Sequence, residues 1–305
     1  MNDLNKAAIS FLLFIIFGFN AIAQDIQVGA HWKAGAVHFD ANKWTEVIVG
    51  DMPLVISVPH GGALNPDEIP DRVCKGAVTV TDGRTIQTVR AIEAAFLEKY
   101  NKRPYIVISH LSRKKVDQNR EIEIATCGNA LAKQGWNTFH ASIDTALADA
   151  VKQFGHAVYI DFHGQSHPNL RLELGYSLTK ENLQAIYEGK EIDQAKRTSM
   201  QNYLRKHTDV TLQELLFGDR AFGSLIYALG AAATPAAQDP HPVADEAFFS
   251  GGYNTRRYTS ERHPEVYGWQ IEANNKGIRD TEENRKTFAF VFVQAFTEFM
   301  ETNPF

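Results

Sequence analysis

Three short, apolar, β-branched runs recur through the first half of the chain, and amphipathic segments separate them. The runs are LVISV (54–58), YIVISH (105–110) and AVYIDF (157–162). Between the first two lies DGRTIQTVRAIEAAFLEKY (82–100), in which Ile86, Val89, Ile92, Ala95 and Phe96 share one helical face. Between the second and third lies NTFHASIDTALADAVKQFG (137–155), which predicts another amphipathic helix ending at Gly155. Strands apolar on both faces that alternate with helices predict an α/β fold. It has three layers, with helices on both sides of a central, mainly parallel mixed sheet. A Pro/Gly-rich loop fills 59–81, and RLELGYSL (171–178) reads as extended. Residues 180–250 read as helical and then loop-rich, with AAATPAAQDPHPVADE as a long surface loop. VYGWQIEAN (266–274) reads as a late strand, and TEENRKTFAFVFVQAFTEFM (281–300) as a closing helix with Thr281 at its N-cap.

Ligands of such sheets bind beyond the carboxyl ends of the strands. The three runs end there in PHGG, HLSR and DFHG. His60 sits in the first. Asp161 and His163 end the third strand, where the chain is expected to turn on Gly164. Asp82, in TDGRT, stands before a helix, as an N-cap or as a carboxylate facing the crevice of His60. Two histidines and one carboxylate at strand ends make a zinc site with an open position, the set that suits catalysis. Glu68 in NPDEIP is a rival carboxylate, and His167 and His110 are rival imidazoles. Asp161 lies on the same side of its strand as His163 and suits the orientation of that ring.

Glu272 ends the late strand. A carboxylate after an apolar, aromatic run is costly unless paired or used, and this one suits a general base. SRKKVDQNR places Arg113 and Arg120 in one loop with Asn119, and YNTRRY adds Arg256 and Arg257. Arginine forks take carboxylates in bidentate fashion, so these arginines are candidates to hold a substrate carboxylate, with Asn119 as a further hydrogen-bonding group and Lys114 and Lys115 as the solvated part of the loop.

The first 23 residues read as an export signal: a polar start, an apolar run too short to cross a bilayer comfortably, and an Ala-x-Ala pattern at Ala21 and Ala23. The mature chain, 24–305, is then expected to be one catalytic domain in the periplasm or outside the cell, with no membrane span. Cys74 and Cys127 are free to pair there, or to stay as thiols. The net charge is −5 with no long basic or acidic block, so nothing points to nucleic acid.

In this order, SVPHGG, TDGRT, LSRKKVDQNR, DFHG, GGYNTRRY and WQIEANNKGIRD resemble the N-formylglutamate amidohydrolase family across most of 50–300. The resemblance implies a fold related to zinc carboxypeptidases and zinc N-acetylmuramoyl-alanine amidases, phosphorylase/hydrolase-like. It implies one zinc ion on His60, Asp82 and His163, which favours Asp82 over Glu68, and catalysis by Glu272. It also implies a substrate carboxylate held by Arg113, Arg120 and Arg256, with Asn119 beside them. An export signal does not suit a cytosolic formylglutamate deformylase. The expectation is therefore an amide hydrolase of a small, carboxylate-bearing N-acyl amino acid or peptide. An exported peptidoglycan amidase or carboxypeptidase, and a non-catalytic carboxylate-binding protein on the same fold, stand as alternatives.

Overall fold

The computed structural model describes residues 24–25, 32–192 and 198–304, so the expected export signal lies outside the described residues. The strands are β1 (Gln24–Asp25), β2 (Val37–Phe39), β3 (Thr45–Ile48), β4 (Leu54–Val58), β5 (Tyr105–Ser109), β6 (Ala157–Gln165), β7 (Leu172–Gly175), β8 (Ala233–Thr234) and β9 (Val266–Asn274). They form one nine-stranded sheet in the order β1-β2-β3-β5-β4-β6-β9-β7-β8. Its centre, β5-β4-β6-β9, is parallel throughout. Antiparallel pairings lie outside it, at β2–β3, β3–β5 and β7–β9. The helices are α1 (Thr85–Tyr100), α2 (Ile122–Thr126), α3 (Ala130–Phe154), α4 (Lys180–Tyr187), α5 (Gln201–Lys206), α6 (Leu212–Phe217), α7 (Phe222–Ala228), α8 (Tyr253–Tyr258) and α9 (Glu282–Thr302). The expected α/β architecture with a mainly parallel mixed sheet is the one observed.

The two-residue period of a strand divides the core in two. Ile56 and Val58 of β4, Ile160 and Phe162 of β6, and Trp269 and Ile271 of β9 pack with Val89, Ile92 and Phe96 of α1 and Phe292 and Phe296 of α9. The intervening Val55, Val107, Ala157 and Tyr159 pack against Phe139, Ile143 and Ala146 of α3 and Tyr258 of α8. On this second face the strands change character toward their carboxyl ends. Ser57, Asp161 and Gln270 are register neighbours there, and so are His163 and Glu272. The polar residues are thus spaced to share one face of the sheet.

Three sequence expectations need correction. Strand β6 does not turn at Gly164 but runs on to Gln165, because β9 stays in register beside it to Asn274. Helix α3 begins at Ala130, well before 137, since the Asn129 side chain accepts the Ala132 N–H at 2.9 Å and starts it there. Lys115 is not solvated: it is buried, and its ammonium donates to the Ile69 carbonyl at 2.7 Å and pairs with Asp71. Strands β2, β3 and β8 are too short to show a period in sequence. Thr281 does cap α9, accepting the Asn284 N–H at 3.1 Å.

Cys74 and Cys127 are joined, with Cα atoms 5.6 Å apart, so the bridge ties the β4–α1 loop to the end of α2. No described helix is long and apolar enough to cross a membrane.

Candidate metal centre

His60 follows β4 directly, in a loop that can pass close to the chain after β5 only because Gly62 has no side chain. A Cβ there would overlap the backbone of His110. The backbone N–H of Asp82 donates to the His60 carbonyl at 3.0 Å, which zips the far end of the same loop against its start. Asp82 is no N-cap: Arg84 holds that position, with φ 66° and no side-chain bond, and the Asp82 carboxylate turns inward instead. His163 comes from within β6. The result is a buried group in which one ligand atom each from His60, Asp82 and His163 lies within 4.8 Å of the others.

Hydrogen bonds assign the ring nitrogens. His60 Nε2 lies 2.7 Å from Asp117 Oδ1, and His163 Nε2 lies 2.8 Å from Asp161 Oδ2. Each Nε2 is thus turned toward a buried carboxylate, and each Nδ1 faces inward. His60 Nδ1 is buried with no hydrogen-bond partner and sits 3.5 Å from Asp82 Oδ2. His163 Nδ1 is 3.1 Å from the same oxygen. Two imidazole Nδ1 atoms and a carboxylate oxygen converge on one point; with the rings deprotonated there, this is the donor set that a divalent metal takes. Asp161 is itself fixed: Ser57 Oγ donates to it at 2.6 Å and Asn254 Nδ2 at 3.2 Å.

The electrostatics agree with the geometry. Burial pushes the Asp82 carboxyl upward, but the neighbouring His163 and His60 rings outweigh it and hold it well below the usual carboxylate range. Burial disfavours charge on His163, yet Asp161, Asp82 and Glu272 together raise its pKa well above the ordinary imidazole value. The group as a whole favours an added positive charge. Glu272 differs. Burial pushes it up to about 8; His163 opposes this, while Asp82, Glu173 and Asp161 add to it. Gln270 Nε2 donates to Glu272 Oε1 at 2.9 Å.

A cavity of about 420 Å³ opens on this group, lined also by Arg113, Asn119, Arg120, Arg256 and Glu272. All eight expected site residues therefore meet in one place. They are not equivalent. Arg113 donates from Nε to Asp117 at 3.1 Å and is committed to the ion-pair network. Asn119 is buried, its amide oxygen accepting the Asn254 N–H at 2.8 Å and its amide nitrogen 3.1 Å from His163. Gly252 permits this packing, since a Cβ would overlap the Asn119 amide. Among the described residues, neither Arg120 nor Arg256 has a carboxylate within ion-pair distance. Burial and the neighbouring Arg120 both lower the Arg256 pKa, the mark of two guanidiniums close together.

The rivals lie elsewhere. Glu68 is exposed and outside the cluster. His110 is bonded to Glu46 at 2.7 Å, His167 to Glu173 at 2.7 Å. Arg257 turns away, donating to Tyr253 and lying over the Trp136 ring. Sequence reasoning missed Asp117, which sits in plain view inside SRKKVDQNR, and Asn254, inside GGYNTRRY. It also missed Arg279, whose guanidinium donates to the carbonyls of Gly83, Gln165 and Ala273 and knots the three segments behind the site.

No protein-family model matches the sequence, and no curated protein matches it. Solved structures do. An N-formylglutamate amidohydrolase from Ralstonia eutropha aligns over 85% of this chain and 96% of its own, with 12% identity and a TM-score of 0.48. A gene product of Agrobacterium tumefaciens aligns over 85% and 94%, with 11% identity and a TM-score of 0.49. An N-acetylmuramyl-L-alanine amidase from Mycobacterium smegmatis aligns over 83% and 99%, with 12% identity and a TM-score of 0.36.

Proposed function

We propose that this protein is a zinc-dependent hydrolase that cleaves the amide bond of a small, carboxylate-bearing N-acyl amino acid or peptide. One observation carries the reading: the inward-facing Nδ1 atoms of His60 and His163 and the Asp82 carboxylate share a buried point at the base of a cavity. Held by His60, Asp82 and His163, a zinc ion would supply a Lewis acid for a carbonyl oxygen and would lower the pKa of a bound water. Glu272 lines the cavity and is the register neighbour of His163, so it is placed to take a proton from an attacking water and hand it to the leaving nitrogen. Arg120 and Arg256 hold the substrate carboxylate, since both line the cavity and neither is spent on an ion pair. Asp117, Asp161, Asn119 and Arg113 position these groups.

The reading includes a working place outside the cytosol, with 1–23 as an export signal and 24–305 as one catalytic domain. The Cys74–Cys127 bridge supports it, because structural disulfides persist in oxidising compartments. The same bridge favours a second reading, an exported amidase or carboxypeptidase of cell-wall peptides. Metal content and hydrolysis of an N-acyl amino acid and peptide panel, with and without chelator, test the first. Metal-loaded protein inert on the whole panel overturns it. Mass spectrometry of purified cell wall after incubation tests the second, and no released peptide or amino acid removes it.

A further inference from the structure

A second cavity, of about 650 Å³, opens beside the first and shares Asp82, Arg113, Gly164 and Phe249 with it. Arg120 and Arg256 line only the first. The proposed metal ligand Asp82 therefore stands at the boundary between two lobes of one cleft. Polar residues, Arg84, Arg279 and Gln165 among them, line much of the second lobe, but it also presents three apolar side chains: Val78, Val80 and Phe249 are 40%, 72% and 44% exposed.

These side chains are held in place rather than carried on a free loop tip. The Arg72 guanidinium, itself buried, donates to the Val78 carbonyl at 2.9 Å and to the Arg113 carbonyl at 2.9 Å. The disulfide at Cys74 anchors the same loop. In the same lobe, the Phe249 N–H donates to Glu173 at 2.8 Å, and its ring stacks on His167 at 4.9 Å. Exposed apolar side chains braced along one cleft mark a ligand surface.

Resting on the reading of the site as an amide hydrolase, we infer that the acyl side of the substrate is an apolar chain of several carbons, lying in this second lobe between Val80 and Phe249. The amino-acid carboxylate then reaches the Arg120–Arg256 lobe, and the scissile amide spans the boundary. A formyl group, with a single carbon, would leave the second lobe unused. Each fully buried methylene is worth about fourfold in affinity. A chain of four added methylenes, about two-fifths covered in an open cleft, is then worth about tenfold.

The test measures calorimetric binding of N-acetyl-, N-butanoyl- and N-hexanoyl-glutamate to zinc-loaded E272Q, and to the same protein carrying Val80→Asp. Val80 is well exposed, so folding is not at stake. Affinity is expected to rise about tenfold from acetyl to hexanoyl. Val80→Asp is expected to remove most of that rise and leave acetyl binding within about twofold. Affinity that is flat or falls with chain length overturns the inference, as does a Val80→Asp loss equal for all three compounds. If the length dependence holds but the parent protein cleaves none of them, the lobe stands and the hydrolase reading falls.

Discussion

Asp117 Oδ1 lies 2.7 Å from His60 Nε2, matching the 2.8 Å between Asp161 Oδ2 and His163 Nε2. Both aspartates are fully buried, so each histidine reaches the centre with its distal proton already assigned. Partners of this kind set the tautomer and raise the basicity of a metal-binding ring. Asp117→Asn keeps the size and removes the charge. It is expected to weaken zinc binding by about 10–100-fold, read by competition with a chromophoric chelator. The circular dichroism spectrum should not change. Unaltered zinc affinity would reduce Asp117 to a structural ion-pair partner of Arg113.

The identity of the carboxylate ligand is open to a melting experiment. Zinc at about 100 times its dissociation constant stabilises a folded protein that binds it by about 2.7 kcal/mol. The parent and Glu68→Gln should therefore melt higher with zinc than with chelator, by similar margins. Asp82→Asn should lose most of that shift. The reverse pattern would move the ligand role to Glu68.

The Cys74–Cys127 bridge closes a segment of 53 residues that contains the Asp82 loop and the Asp117 loop together. Chain entropy assigns a cross-link of that span about 4 kcal/mol of stability. The double Cys→Ser protein should show a lower urea midpoint by a corresponding amount, and weaker zinc affinity, because both loops carry residues of the centre. A midpoint drop with zinc affinity intact would separate fold stability from the assembly of the site.

Long elements with a clear period were legible in the chain. The expected late strand at 266–274 is strand β9 as observed, and the two packed faces of β4 and β6 follow from runs that are apolar except at Ser57 and Asp161. The proposed ligands His60 and His163 were legible because a His at or just past the end of an apolar strand has few packing reasons to be there. The supporting residues were not. Asp117 reads as one more charge in a basic loop until folding brings it beneath His60, and Lys115 reads as solvated until the Ile69 carbonyl caps it. The extent of β6 past Gly164 was hidden for a related reason. Nothing in DFHGQ signals that β9 will continue alongside to supply a ladder.

Arg120 and Arg256 predict a division between binding and chemistry. A charge-assisted hydrogen bond to a carboxylate is worth about 1.5–3 kcal/mol. Arg256→Ala, and Arg120→Ala, should each raise KM by about tenfold or more with kcat changed much less. A lysine at either position should recover only part of the loss, since a point charge cannot reproduce the planar fork. A fall in kcat with KM unchanged would place that arginine at the transition state instead.

Glu272 makes the metal-free protein sensitive to pH. Its ordinary value is 4.5, and burial raises it to about 8 in the folded chain. A carboxyl raised on folding binds more protons folded than unfolded. It costs nothing below the unfolded value and destabilises increasingly as pH climbs toward the folded one. Glu272→Gln is neutral at every pH and escapes that cost. In chelator, the stability of Glu272→Gln relative to the parent should therefore grow by about 1.4 kcal/mol per pH unit between those two values. Subtracting the parent's own pH dependence removes the opposite slopes of Asp82 and Asp161, whose folded values are depressed. Denaturant melts of both proteins at matched pH measure the difference. A difference that does not change with pH means that Glu272 is ionised in the folded, metal-free protein, and the proton-holding role assigned to it would fall.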